Sequence, residues 1–197
     1  MSFPVEKTKL SPTVSFRLNS AGEPLGPNAP YREAIGGLLW AAIMTRPEIM
    51  YAVLQLAQFS SNPMTHHWDG IEHVLMYLRG NMELGISIRR TNDPAKLDYF
   101  AATDADWAGS FTGNIRYWQN AIIGWSCQKL KTVSLSVLES EIMGASKCAK
   151  RVSWERWLIE ALPGLSPQIQ LLFCVTMSQQ YTFRKQGLGL LEQNTSN

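Results

Sequence analysis

The stretch "YFAATDADWAG" places two carboxylates, Asp104 and Asp106, at the end of an apolar run that reads as a β-strand. Side chains return to the same face of a strand every second residue, so a D-x-D pair there projects both acids to one side. Acids so placed suit a hard divalent cation such as Mg²⁺, which takes oxygen ligands and keeps several of its waters. D-x-D pairs also serve as turn and cap chemistry, and these residues alone leave both uses open. Glu139 and Glu141 open a long helical pattern, where the positive end of the helix dipole favours an acid whatever its purpose.

Other reactive side chains lack the spacing their chemistry needs. His66, His67 and His73 fall on or beside one helix, and no carboxylate or cysteine completes a ligand set. They read as core or surface histidines. Ser126 lies in "GWSC", which lacks the second glycine of a nucleophile elbow, and the chain has no glycine-rich phosphate loop. This argues against acyl transfer and nucleoside triphosphate hydrolysis. Cys127, Cys148 and Cys174 form no C-x-x-C pair, so neither a disulfide framework nor a zinc knuckle is indicated, and a reducing compartment fits best.

The elements that would position these residues can be read from periodicity. Residues 1–30 hold Pro4, Pro12, Pro24, Pro27 and Pro30 with no sustained period, as in a linker or tail. Residues 31–80 are helical in pattern. Thr45 can cap a helix with Pro47 in its first turn, and Met50, Val53, Leu54 and Ala57 share a face. Beyond Pro63, Thr65 offers a cap, Trp68, Ile71, Val74, Leu75 and Leu78 recur at helical steps, and Gly80 is a stop. A small helical bundle is expected.

After Gly80 the period shortens. "LGISIRR" and "LDYFAATDADW" predict an antiparallel pair over 85–104, and "NAIIGWSCQKL" a further strand. Ser134 or Ser136 then caps a long helix with Leu138, Ile142, Ala145, Ala149 and Val152 on one stripe, running on towards Leu158. "PGLSP" ends it, and residues 169–174 read as the next strand. Strands, helix and strand predict α/β layer packing. Trp40, Trp68, Trp107, Trp118, Trp125, Trp154 and Trp157 are expected in the core.

With 197 residues, 45% hydrophobic and 17% charged, the chain can bury a core and make one or two domains. The run "IGGLLWAAIM" is too short for a membrane span, which needs about 20 residues, and lies too far in for a signal peptide. The chain therefore reads as soluble and intracellular, with no membrane partner. Residues 1–109 carry nine Lys or Arg against eleven Asp or Glu, and residues 110–197 nine against five, so the halves are −2 and +4. Lys129, Lys131, Lys147, Lys150, Arg151 and Arg156 supply most of the second charge. Such a face suits a polyanion, and equally a solvated helix.

In combination, "PYREAIGGLLWAAIMTRPEIMYAVLQLAQFSSNPMTHHWDGIEHVLMYLRGNMELGISIRR", "YFAATDADWAG", "GWSCQKLKTVSLSVLESEIMGASKCAK" and "WLIEAL" resemble the end of a copia-type LTR retrotransposon Pol polyprotein. The match runs from Tyr31 to about Leu162. In that family this region joins reverse transcriptase to ribonuclease H. The resemblance implies an α/β fold: an incomplete RNase H-like mixed sheet after a small helical segment. Residues 1–30 would be a linker or tail of the reverse transcriptase region, 31–82 a helical connection and 83–174 a partial RNase H-like domain. It further implies cleavage of the RNA strand of an RNA–DNA hybrid by two Mg²⁺ ions, one activating water and the other steadying the leaving oxygen. Asp104 resembles the first catalytic and metal-binding aspartate and Glu141 the glutamate of the long helix. Asp106 and Glu139 resemble their neighbours. Lys129, Lys131, Lys147 and Lys150 would follow the hybrid's phosphates, and the rest of a Pol polyprotein would be a partner.

Two departures from the family pattern stand out. Between "DWAG" and "GWS" the segment "SFTGNIRYWQNAII" is short and lacks an S-T-S-G-Y-type strand, which puts one strand of the sheet in question. After "LLFC" the family continues with C-D-N-x-S-A, whose aspartate is the third catalytic acid, whereas this chain continues "VTMSQQYTF". That run can be encoded GTG ACA ATG AGT CAG CAA TAC ACT TTT. Read from the last base of the valine codon, it becomes D-N-E-S-A-I-H-F, the motif that is missing. A two-base insertion or a misplaced splice junction is the hypothesis that accounts for this, and residues 175–197 would then be an out-of-frame, disordered tail. Lacking the third and fourth acids, the chain is expected to be inactive by itself. The other reading is a non-catalytic module that binds nucleic acid or protein.

Overall fold

A computed structural model of the chain describes residues 9–13, 20–88, 99–106, 111–118, 121–130 and 135–162. It divides into two units, Met1–Ile86 and Ser87–Asn197. The strand expected at 169–174 and the tail at 175–197 lie outside the described residues.

The first unit is helical. Tyr31, Ile35, Leu38 and Ala42, at steps of three and four, form the buried stripe of α1, Tyr31–Met44. Proline has a fixed φ and no N–H, so Pro47 starts the 3₁₀ turn Pro47–Ile49 at no cost in hydrogen bonds, and that turn runs into α2, Met50–Ala57. Thr45 is not a cap of that helix. It ends α1, its N–H donating to the Ala41 carbonyl at 3.0 Å. The helix α3, Thr65–Gly80, stops at the expected glycine, but its cap is Met64 rather than Thr65: the Met64 N–H donates to Nδ1 of His67 at 3.0 Å. Residues 23–25 run antiparallel to this corner, with Leu25 donating to Pro63 and Thr65 to Glu23.

The buried faces of α2 and α3 are turned from those that hydrophobicity predicts. Leu56 is sealed while Leu54 and Ala57 are half-buried, and His67, Gly70 and Tyr77 are buried where Leu75 is exposed. Gly70 explains the turn. A Cβ there would lie 2.7 Å from Cδ2 of Leu56, so the leucine seats in the gap left by the missing side chain.

The second unit is a three-stranded antiparallel sheet, β1 (Tyr99–Asp106), β2 (Phe111–Trp118) and β3 (Ala121–Lys129), in that order, with α4 (Val137–Glu160) on one face. The architecture is α/β. The strand put in question is present as β2, paired along its whole length with β1. It escapes notice in the sequence because the side chains it turns towards α4 are polar, with Thr112 and Arg116 buried. Residues 85–88 form no strand, and Ile88 is largely exposed, so β2 and not this segment is the described partner of β1.

Ser136 caps α4, accepting from the Glu139 N–H at 3.1 Å, while the Glu139 carboxylate accepts from the Leu135 N–H at 2.6 Å. The stripe that α4 buries is Ser140, Gly144, Cys148, Val152 and Ile159, whereas Leu138 and Ile142 are mostly exposed. The cause is a close approach. A Cβ on Gly144 would stand 2.7 Å from Thr112 Oγ1, 3.3 Å from Thr103 Oγ1 and 3.5 Å from Ala105 Cβ, so only small residues fit there. Further along, Cys148, Val152 and Ile159 join Tyr99, Ala101 and Trp118 in the core. Trp40, Trp154 and Trp157, expected inside, are mostly exposed on α1 and α4.

One polar cluster lies within this packing. Arg116 reaches from β2 to Glu155 on α4, and the Tyr99 hydroxyl donates to the same carboxylate. Arg116 is paired in register with Gly124 of β3, and its guanidinium occupies the place a Cβ at 124 would take.

Candidate functional site

Alternation along β1 sets the position of Asp104. Tyr99, Ala101, Thr103 and Ala105 lie on the side of α4, as the surroundings of Gly144 and Glu155 show, so Asp104 stands on the other face. It is half-buried there, opposite Gly113, on the face where Phe100 stacks on Tyr117 with ring centres 4.5 Å apart. Glu141 is half-buried on α4, three residues before the glycine seated over Thr103 and Ala105. Strand and helix cross at Gly144, but Asp104 lies on the sheet face away from α4, so the crossing does not bring the two acids together.

The crossing does not make a metal centre by itself. Neither the Asp104 nor the Glu141 carboxylate bonds to another described residue, and no three His, Cys, Asp or Glu side chains among the described residues stand close enough to share an ion. A two-metal site needs more acids than this pair, so the donors among the described residues do not fit two Mg²⁺ ions. Asp106 ends β1 opposite Phe111. Glu139 is engaged in the cap of α4.

The remaining nucleophile and ligand candidates have structural partners. His67 is fully buried, accepts the Met64 N–H and stacks on Phe59 at 3.9 Å; His73 Nε2 lies 2.9 Å from the Ser11 carbonyl. Cys148 is buried and Cys127 half-buried, and burial pushes both thiols up, away from the reactive thiolate. Ser126 Oγ accepts from Asn114 Nδ2 at 2.7 Å and has no base beside it among the described residues.

A cavity of about 380 Å³ opens beside α4 on the sheet face that the helix covers. Its floor is Thr112 and Asn114 of β2 with Ser126 and Gln128 of β3, and its wall is Lys147, Lys150, Arg151 and Trp154. The wall residues are spaced i, i+3, i+4 and i+7, one stripe of the helix. That spacing is visible in the sequence, but Trp154 there reads as core. The floor could not be foreseen without β2. Of the four lysines that the resemblance assigns to nucleic acid, Lys147 and Lys150 line this cavity, Lys129 lies at the exposed end of β3 outside it, and Lys131 falls outside the described residues.

No described helix is long and apolar enough to cross a membrane. No family model matches the sequence. Individual relatives do. The chain is 32% identical over 133 residues to the secreted RxLR effector protein 161 of Plasmopara viticola, covering 64% of this chain and 92% of that protein. It is 32% identical over 155 residues to the retrovirus-related Pol polyprotein from transposon TNT 1-94 of Nicotiana tabacum, 76% of this chain and 11% of the polyprotein. With the Pol polyprotein from transposon RE1 of Arabidopsis thaliana, identity is 31% over 180 residues, 88% of this chain and 12% of the polyprotein. Two of these three relatives are Pol polyproteins of transposons. The chain belongs to the family of copia-type retrotransposon Pol polyproteins, and it spans about a tenth of the length of the two polyproteins.

Proposed function

We propose that the second unit is the remnant of a ribonuclease H region, whose complete form would cut the RNA strand of an RNA–DNA hybrid with Mg²⁺, and that this polypeptide no longer does so. The observation that carries the reading is the run of motifs shared with the Pol polyprotein relatives, in which Asp104 and Glu141 stand where the family's first two catalytic acids would. Loss of activity follows from the missing third acid, because two carboxylates cannot fix two ions on opposite sides of a phosphate. The tail beginning "VTMSQQY" supplies a genetic reason for that loss.

The test is a Mg²⁺-dependent cleavage assay on an RNA–DNA hybrid with the full chain and an Asp104→Asn control. No cleavage above the control is expected. Cleavage that Asp104→Asn abolishes would overturn the inactive reading and establish the ribonuclease one. Cleavage that it leaves intact would overturn both.

A further inference from the structure

The geometry points to the cavity between α4 and the β2–β3 surface as a binding site for one unstacked nucleotide of a single strand, its base on Trp154 and its phosphate among Lys147, Lys150 and Arg151. Several observations converge. The cavity, at about 380 Å³, lies within the range of roughly 300–1,000 Å³ seen for small-ligand pockets. Three cations line it and no acid does. None of the three is paired with a described carboxylate, since Glu155 is engaged by Arg116 and Glu160 by Arg156. The wall therefore offers uncompensated positive charge, which a phosphate answers.

The charge alone would suit any anion. Trp154 narrows the class, because it shares the stripe with the cations and is 58% exposed, an arrangement that leaves an indole face available for stacking. A planar ring on an indole and a phosphate on nearby cations is the pattern by which proteins hold single strands. The floor adds amide and hydroxyl groups, of which the Gln128 side-chain amide is exposed and bonds to no described residue. These can meet donors and acceptors on a base edge without selecting one base. A duplex keeps its bases stacked on each other and cannot present one to Trp154. The site is separate from Asp104, and its test needs no Mg²⁺ and no cleavage, so it stands or falls apart from the ribonuclease reading.

The full chain is titrated into a labelled ten-residue deoxythymidine oligonucleotide, followed by fluorescence anisotropy, with a duplex of equal length and thymidine 5′-monophosphate as competitors. The single strand should bind at least tenfold more tightly than the duplex. Trp154→Leu should weaken it at least tenfold and leave the salt dependence unchanged. Lys147→Ala with Arg151→Ala should weaken it and reduce the slope of log K against log salt by about 0.7, the amount for the one phosphate no longer neutralised. Competition by the mononucleotide at the oligonucleotide's own affinity assigns the site to free nucleotides, and failure to compete assigns it to a strand. Equal binding of duplex and strand, variants that bind as the parent does, or no binding of either probe would overturn the proposal. Should Trp154→Leu lose its near-ultraviolet circular dichroism, Trp154→Tyr, which keeps a ring, is expected to retain binding.

Discussion

Arg116 of β2 and Glu155 of α4 meet at 2.7 Å with their side chains only 8% and 14% exposed. The pair clamps helix to sheet, and it is not left to stand alone. Asn114 accepts from the same guanidinium and the Tyr99 hydroxyl donates to the same carboxylate. Breaking one member of such a pair leaves a buried charge unanswered and costs about 3–5 kcal/mol, whereas replacing both by apolar residues of similar size is often near neutral. Glu155→Ala should therefore lower the urea midpoint of the second unit sharply, and Arg116→Met with Glu155→Leu should recover most of the loss. Equal losses in the single and double variants would show that shape, not charge, holds helix and sheet together here.

Gly144→Ala sets two effects against each other. Alanine favours the helix by about 1 kcal/mol over glycine. The added methyl meets Thr112 Oγ1 at 2.7 Å and Thr103 Oγ1 at 3.3 Å, two side chains held by hydrogen bonds to the strands. Overpacking of that kind costs about 1–3 kcal/mol, so a net loss is expected, read as a lower thermal midpoint. A variant more stable than the parent would show that α4 does not seat on the sheet at this residue.

Burial pushes the Tyr31 hydroxyl up to about 12, where it donates to the Leu56 carbonyl at 2.9 Å. An unfolded tyrosine loses its proton near pH 10. Above that pH the unfolded chain binds fewer protons than the folded one, so stability must fall as pH rises from 10 to 12, by at most about 1.4 kcal/mol per pH unit. Helix melts followed by circular dichroism across this window should show the decline, and Tyr31→Phe should flatten it. At neutral pH the same variant should lose about 1 kcal/mol with the hydrogen bond. Tyr99 shifts in the same direction, from burial first and then from its bond to Glu155.

The tail makes a prediction at the level of DNA. If a frame change produced "VTMSQQYTF", the codon for Val175 ends in G, and the second frame continues with the acid-bearing motif. Sequencing the gene settles it, since any other third base removes the aspartate.

Much of the second unit was legible because its signals are local. The strands β1 and β3 and the capped start of α4 follow from alternation, a serine and a first-turn acid. The face that α4 buries was not legible, since hydrophobicity marks Leu138 and Ile142 while the sheet accepts Ser140, Gly144 and Cys148. Closeness of approach is a tertiary property, and it selects small residues over apolar ones. For the same reason β2 was overlooked: Arg116 looks like a surface residue until Glu155, 39 positions away, is known to face it. Of the candidate site, the role of Asp104 and Glu141 rests on the motifs alone, while their positions on a strand and on the long helix were legible. Trp154 was not, because periodicity shows that residues share a face but not whether anything covers it.

Gly124 has a consequence for inheritance. The Arg116 guanidinium fills the volume its side chain would need, so the two positions are bound to drift together. A side chain at 124 requires either that the guanidinium leave Glu155 and Asn114 or that residue 116 be shorter. An inherited change at 124 is thus felt at α4, because the arginine it displaces is the one that holds Glu155.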